Sequence, residues 1–368
     1  MMSRYGLTNF DEHPVHQITE AFGAVTATDK HWNDGHYICL CDTEGKVQMI
    51  GLVRLYTNND VIDGFVCIRH EGKQHNIRLS RRLRSDINTN GIGPLRIEIV
   101  EPMETVRLVL EENEYGIECD LVCRSTAVPY EDQPTYTRQG GRFVASRAVY
   151  EVVGTVEGTV TVGGQTYTAT PDKWFFFRNH SWGSMPGRGG PREHGAPSQH
   201  RQERTQALRQ WVLFRMPDHG GFYQTMDRND GQRLQQEGAI LFEDSQVEVT
   251  EIEHDLEFYA DGPKRVKSGS FALTDENGTK REYKFEDLGW VYCQGGGYFG
   301  GFNDGLGQGV WRGEYHVEGE VWDASHPQKI VEEDGTEREF DHAWAESFTL
   351  LRSGGDVGLA HLEAVVFE

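Results

Sequence analysis

No window of this sequence reaches the roughly 18 consecutive apolar residues that a membrane-spanning helix requires, so no membrane span is expected. The opening "MMSRYGLTNFDEHPVHQ" lacks the basic start and apolar run of a secretion signal, and a soluble, cytoplasmic protein is the expectation. Positive charge is scarce as well. Lys and Arg number 36 against 58 Asp and Glu, a formal net charge of −22. Such a balance repels nucleic acid and anionic membrane surfaces, so neither is expected as a partner. The one basic cluster, "RLSRRLRSD" at residues 78–86, reads as a solvated loop or strand end.

Cysteine is present but unpatterned. The six, at positions 39, 41, 67, 119, 123 and 293, match neither zinc-ribbon nor zinc-finger spacing. On a strand Cys39 and Cys41 share one face and pack as small hydrophobes, and free thiols are expected. His13 and His16 have the spacing of a helical ligand pair, but Pro14 breaks that helix, and no metal is expected. "GGGYFG", residues 295–300, fits G-x-G-x-x-G formally. Yet eight glycines crowd the fifteen residues 295–309, and no helical pattern follows to receive a pyrophosphate. A turn or bulge that packs closely against a ligand is the better reading. No G-x-S-x-G elbow offers a hydrolase nucleophile, and signals for redox or phosphoryl-transfer chemistry are missing too. No organic cofactor is implied.

What the sequence does contain is β-pattern. "HYICLCD" and "VQMIGLVRLY" alternate with period two, and "VGGQTY" is a hairpin turn between strand-forming runs. Only "HRQERTQALRQ", residues 200–210, looks briefly helical. The expectation is an all-β protein of antiparallel barrels or sandwiches. A Gly/Pro-rich stretch separates two β runs, giving an N-terminal β domain at 1–183, a linker or lid at 184–209 and a C-terminal β domain at 210–368. Connections longer than about 12 to 15 residues are uncommon inside a compact domain unless they are functional or linkers, and both readings stay open.

The densest chemistry lies in "DKWFFFRNHSWGSMPGRGGPREHG", residues 172–195. On an extended strand Trp174, Phe176, Arg178, His180 and Trp182 share one face, and Phe175, Phe177, Asn179 and Ser181 the other. The first set is apolar at one end and polar at the other, as in a small barrel that holds an apolar ligand with one reactive polar end. Later, "WRGEYHVEGEVWD" offers Trp311 and Glu314, and "FDHAWAESF" offers Asp341, Trp344 and Glu346. A carboxylic acid in an apolar pocket has its pKa raised and serves as a general acid at neutral pH.

"RNHSWG", preceded by "GTVEGTVTVGGQTYTATPDKWFF" and by "GPLRIEIVEPMETVRLVLEENEYGIECDL", resembles the lipocalin-like superfamily of carotenoid 1,2-hydratases (hydroxyneurosporene synthases) and lipocalin-like Diels–Alderases. The likeness is nearest to bacterial members with Arg-Asp-His-Ser-Trp-Gly. It implies two lipocalin-like β-barrels in tandem with a pocket at or near their junction. His180 and Trp182 match the His-x-Trp pair implicated in protonating an isoprenoid double bond. The downstream Tyr-x-Asp is not placed, Tyr223 after Trp211 standing in Tyr-Gln-Thr, and Asn179 stands where relatives carry Asp.

The resulting expectation is a cofactor-independent enzyme that hydrates, isomerises or cyclises a small hydrophobic terpenoid, steroid-like or polyketide substrate. His180 would move the proton, Arg178 would anchor charge and Asn179 would orient His180. Glu314 or Asp304 would supply the missing acid. Trp174, Phe176, Trp182, Trp211, Tyr298, Trp311 and Trp344 would form the walls. The alternatives are a non-catalytic carrier of an apolar metabolite, or a motif that merely glues two barrels.

Overall fold

The computed structural model describes residues 8–14, 16, 18–139, 141–184, 207–259, 265–298, 302–339 and 345–367. Among them there is no α-helix, only short 3-10 turns between antiparallel strands. The all-β expectation therefore holds. The first nine long strands are β1 (Trp32–Asp42), β2 (Val47–Tyr56), β3 (Val61–His70), β4 (Lys73–Arg82), β5 (Leu95–Glu101), β6 (Thr105–Leu110), β7 (Glu118–Ser125), β8 (Arg142–Val162) and β9 (Trp174–Ser184). They form one sheet in the order β4-β3-β2-β1-β9-β8-β7-β6-β5.

Alternation sends half of each strand's side chains to one face. On that face Ile38, Met49, Val66, Ile77, Ile97, Leu108, Leu121, Val152, Trp174 and Phe176 belong to a single buried cluster. Residues from both ends of the sheet meet in it, so the sheet curls over its own core. Gly64 marks the closest approach. A Cβ there would come within 2.8 Å of Leu95 Cδ2 and of the Leu52 carbonyl oxygen, so only glycine lets β3 lie this near to β5.

The second part is a closed barrel of β10 (Ala207–Arg215), β11 (Gly220–Arg228), β12 (Arg233–Leu241), β13 (Gln246–Phe258), β14 (Val266–Asp275), β15 (Lys280–Tyr292), β17 (Ala345–Ser353) and β18 (Asp356–Phe367), the last pairing with the first. Its interior is filled by Phe214, Tyr223, Phe271, Tyr283 and Phe285 among others. One long strand of the C-terminal half does not join it. β16 (Tyr315–Asp323) pairs with β4 at the edge of the first sheet.

Arg78 explains that return. It is 1% exposed and donates to Glu318 and Glu320 of β16 at 2.9 and 2.8 Å, and to the Gly295 carbonyl oxygen at 2.8 Å. Arg81, also buried, donates to the carbonyl oxygens of Gly91, Leu83 and Asp86. The "RLSRRLRSD" run is thus a strand end leading into a 3-10 turn, with Arg78 and Arg81 turned inward instead of solvated, because each buried guanidinium has acceptors waiting. The Gly295 turn packs on the same surface, where a Cβ would sit 2.2 Å from Asn76 Oδ1. Its glycines serve contact with the chain's own sheet. The end of the stretch read as helical, 207–210, opens β10 instead, since Ala207, Gln210 and Trp211 are buried against neighbouring strands. Of the linker or lid, residues 185–206 lie outside the described residues.

Between curled sheet and barrel lies a third cluster. The outer faces meet through Cys39, Cys41, Ile50, Phe65, Cys67, Val153, Phe175 and Phe177 from the sheet, and Trp211, Leu213, Phe222, Leu241, Phe348 and Leu359 from the barrel. The six cysteines are free and buried, with Cys39 and Cys41 on this shared face. Phe177, 1% exposed on the motif strand, tests the contact. Phe177→Ala is expected to cost about 3–5 kcal/mol in a denaturant titration. A loss near the ordinary surface value of about 0.5 kcal/mol would mean that sheet and barrel do not pack tightly.

Candidate active site between sheet and barrel

The motif strand β9 is buried on both faces, and its two faces lead to two polar clusters. The first is at the rim of the curled sheet. His180 Nε2 lies 2.8 Å from Asp34 Oδ1, its Nδ1 lies 3.3 Å from Tyr150 Oη, and its ring sits 4.2 Å from that of His36. Arg178 donates from Nη1 to His36 Nδ1 at 3.1 Å and to Tyr150 Oη at 3.3 Å. Proton positions follow from donor counting. Arg178 can only donate, so His36 Nδ1 accepts, which fits a His36 pKa held well below the ordinary value by burial and by the charges of His180 and Arg178. Asp34 Oδ1 accepts the Nε2–H of His180, and Tyr150 Oη, which accepts from Arg178, lies against His180 Nδ1. Trp182, 5.4 Å from His180, is 38% exposed.

The second cluster lies on the opposite face, toward the barrel. Strand register builds it. In one cross-strand row Glu151 of β8 faces Asn179 of β9, and Asn179 faces Tyr37 of β1. From the barrel, Trp211 and Glu363 pair across β10 and β18, and Glu346 enters from β17. Together Tyr37, Arg147, Asn179, Arg209, Trp211, Cys293, Tyr298, Glu346 and Glu363 enclose a cavity of about 40 Å³, room for one or two waters or one polar group of a ligand.

Glu346 is its chemical centre. Its Oε1 accepts from Tyr37 Oη at 2.9 Å and from Cys293 Sγ at 3.5 Å, and its Oε2 accepts from His361 Nε2 at 2.6 Å. The carboxyl is 5% exposed and His361 fully buried, beside Phe177, Trp211 and Phe348. Burial drives the Glu346 pKa upward, but His361 together with the Tyr37 and Cys293 donors outweighs it, and the net direction is down. Tyr37 is pushed well above the phenol range by burial, Cys293 and Glu346, and so stays a donor. An ionised acceptor with a hydrogen-bonded imidazole behind it and a protonated phenol beside it is equipped to take a proton and to polarise a bound group.

The structure brings together three of the expected site residues, Asn179, Trp211 and Tyr298, in this cavity. It puts Arg178, His180 and Trp182 at the rim cluster. Trp174 and Phe176 are buried in the core of the curled sheet, where they are packing rather than walls. Asn179 points away from His180, because adjacent strand residues face opposite sides, so it cannot orient that ring. Glu314 is tied to Arg82 at 2.8 Å on the surface, with its carboxyl held below the usual range by that contact. Asp304 is bound by Arg312 at 2.8 Å, and its pKa also moves down. Neither is the neutral acid expected of it. Trp311 is exposed under Arg82, and Asp341 and Trp344 lie outside the described residues. Sequence reasoning missed Tyr37, Glu151, Cys293 and His361, and flagged Glu346 only in passing.

A larger basin of about 770 Å³ at one end of the barrel is lined by Asp218, His219, Lys280, Arg281, Tyr283 and Arg352, among others. Three of its cations are paired with neighbours: Lys280 with Glu253, Arg281 with Asp275 and Arg352 with Glu286. Among the described residues no group of His, Cys, Asp and Glu is placed to hold a metal ion, and no helix is long and apolar enough to cross a membrane.

These features define a class: an antiparallel β-protein in which a curled sheet and a closed barrel enclose a buried acid–imidazole pair. The chain belongs to a family of unknown function, DUF8625, whose model matches residues 7–367. Among solved structures it is similar to a candidate AttH from Nitrosomonas europaea, with a TM-score of 0.54 and 11% identity over 94% of each chain. It also overlays kievitone hydratase from Nectria haematococca (TM-score 0.43, 10% identity, 91% of this chain and 89% of that one). A third is CghA crystallised with Sch210972 (0.47, 7%, 92% and 89%). At such identities the likeness is one of fold alone. No curated protein matches the sequence.

The depressed carboxyl sets a testable sign. Glu346 contributes stability that is present above its ordinary value of 4.5 and lost as pH falls through the lower folded value. Glu346→Gln is expected to cost about 3–5 kcal/mol at neutral pH, as when one partner of a buried pair is removed. The gap in melting temperature from wild type should shrink on acidification below 4.5. A gap independent of pH would mean that Glu346 is not ionised in the folded protein.

Proposed function

We propose that this protein is a cofactor-independent enzyme that hydrates, isomerises or cyclises a small, mainly apolar molecule, with its proton chemistry at the cavity between sheet and barrel. One observation carries the reading. Glu346, buried at that cavity, accepts hydrogen bonds from Tyr37, Cys293 and His361 at once. In a hydration, Glu346 takes a proton from water as the oxygen adds to one carbon, the neighbouring carbon gains a proton from the Tyr37 hydroxyl, and protonated Glu346 returns a proton to Tyr37 across their hydrogen bond. In an isomerisation the same carboxylate takes a proton from carbon and returns it elsewhere. The cavity fits the reacting group and a water, and the Trp211 and Tyr298 rings offer the apolar contact. The lipocalin-like resemblance of "RNHSWG" points to the same reaction classes.

A second reading places proton transfer at His180, favoured by its bonds to Asp34 and Tyr150. The experiment separates the two. Apolar extracts of the native host lacking the gene are incubated with wild type, Glu346→Gln and His180→Ala, and followed by mass spectrometry. A new compound heavier by one water marks hydration, and one of equal mass with altered retention marks isomerisation or cyclisation. Folded Glu346→Gln is expected to lose about 10²- to 10⁴-fold in rate, with His180→Ala close to wild type. The reverse ranking moves the chemistry to the rim. A compound that is bound and recovered unchanged makes the protein a carrier.

A further inference from the structure

Glu151 and Asn179 form a direct cross-strand pair, and such residues point to one face with Cβ atoms about 4.5–5.5 Å apart. Glu151 is 1% and Asn179 9% exposed. Glu151 Oε2 and Asn179 Oδ1 each lack a hydrogen-bond partner among the described residues. A carboxylate oxygen and an amide oxygen both accept, so side by side they carry an unrelieved desolvation penalty. One proton removes both faults, because a neutral carboxylic acid is also a donor.

We propose that Glu151 is held as a neutral carboxylic acid that donates its O–H to Asn179 Oδ1. The Asn179 amide N–H groups are thereby turned toward the cavity to receive a carbonyl or hydroxyl oxygen of the ligand. The ligand half of this statement rests on the cavity being the working site. Glu151 is then a positioning residue that acts through Asn179.

The surroundings favour the neutral form. Asp132, buried beside Glu151, is anchored by its backbone N–H to the Val149 carbonyl oxygen at 3.1 Å. Burial first, then the Asp132 charge, push Glu151 well above the carboxylate range against the pull of Arg147, Arg178 and Arg209. Asp132 itself is pushed up to about 7 by burial and by Glu237. The charged groups facing Glu151 are therefore Asp132 after the short strand Tyr130–Glu131, Arg147 on its own strand, Arg178 through the sheet and Arg209 on β10. Glu237 on β12 acts through Asp132.

A carboxyl whose folded pKa is raised keeps a proton that the unfolded chain has released. Stability therefore falls as pH rises from the ordinary 4.5 toward the folded value. Glu151→Gln cannot ionise and still offers a donor to Asn179. Its melting temperature is expected to match wild type near about pH 5 and to exceed it increasingly toward about pH 9. A variant less stable than wild type at neutral pH, with the gap closing in acid, would show an ionised Glu151 and overturn the proposal, as would parallel curves. Glu151→Ala should be the least stable of the three.

The ligand half is read by binding of 2-octanone against octane. Wild type and Glu151→Gln are expected to prefer the ketone by about 10-fold, one neutral hydrogen bond, and Glu151→Ala to lose that preference. Equal binding, or none, by a protein with the expected pH profile overturns the ligand half and the reading of the cavity, while the Glu151–Asn179 bond stands.

Discussion

The strands β1 to β4 and β9 of the first sheet are buried on both faces, and the rest of the molecule follows from that. One face curls around its own core, and the other is covered by the closed barrel. A strand in this position loses the apolar-in, polar-out alternation of a half-solvated strand and reads as an almost continuous apolar run. β9 shows it, with Trp174 through Asn179 all buried. Any polar side chain on such a strand must be met by protein on whichever side it faces. Arg178 is met by His36 and Tyr150 on one side, and Ser181 by Arg54 on the other. The motif therefore feeds two clusters on opposite faces, joined by the backbone of β9 and by the field of Arg178 acting through the sheet on Glu151.

This double burial decides what was legible in the sequence. The all-β class was, because period-two runs and glycine turns are local signals. The two faces of β9 were legible for the same reason. Which face carried the cavity was not, since that depends on what covers the sheet. Trp174 and Phe176 look like ligand walls when one face is taken as a barrel lining, yet that lining is solid core. Tyr37, Asn179, Glu346 and His361 meet only because β1, β9, β17 and β18 are brought together by packing. No local spacing encodes that meeting. The return of β16 to the first sheet was hidden likewise, its anchor Arg78 looking on paper like one more surface charge.

The junction also sorts its acids by environment. Glu346 has three donors and a lowered pKa, whereas Glu151 and Asp132 have crowding and burial without enough donors and are raised. Carboxyls pushed in opposite directions within one site are the arrangement by which a protein keeps an acid and a base available at the same pH. The net charge of −22 therefore says little about this site, whose acids are governed by enclosure.

Whether such a cluster serves stability or chemistry turns on where it sits. Gluing a sheet to a barrel needs only apolar surface, and replacing buried ion pairs by well-packed hydrophobes is often neutral or stabilising. The rest of the interface follows that logic, with Phe175 and Phe177 stacking rows of apolar contact against Leu213 and Phe348. One group of polar side chains departs from it at the cavity. Tyr37, Asn179 and Glu346 line the small cavity, and Glu151 and His361 stand directly behind its lining. Unmatched buried oxygens at Glu151 and Asn179, and an unmatched His361 Nδ1, add cost at the same spot. An interface selected for adhesion alone would have removed that cost. Such cost beside a cavity is what supports the proposal of proton chemistry at this junction over packing alone.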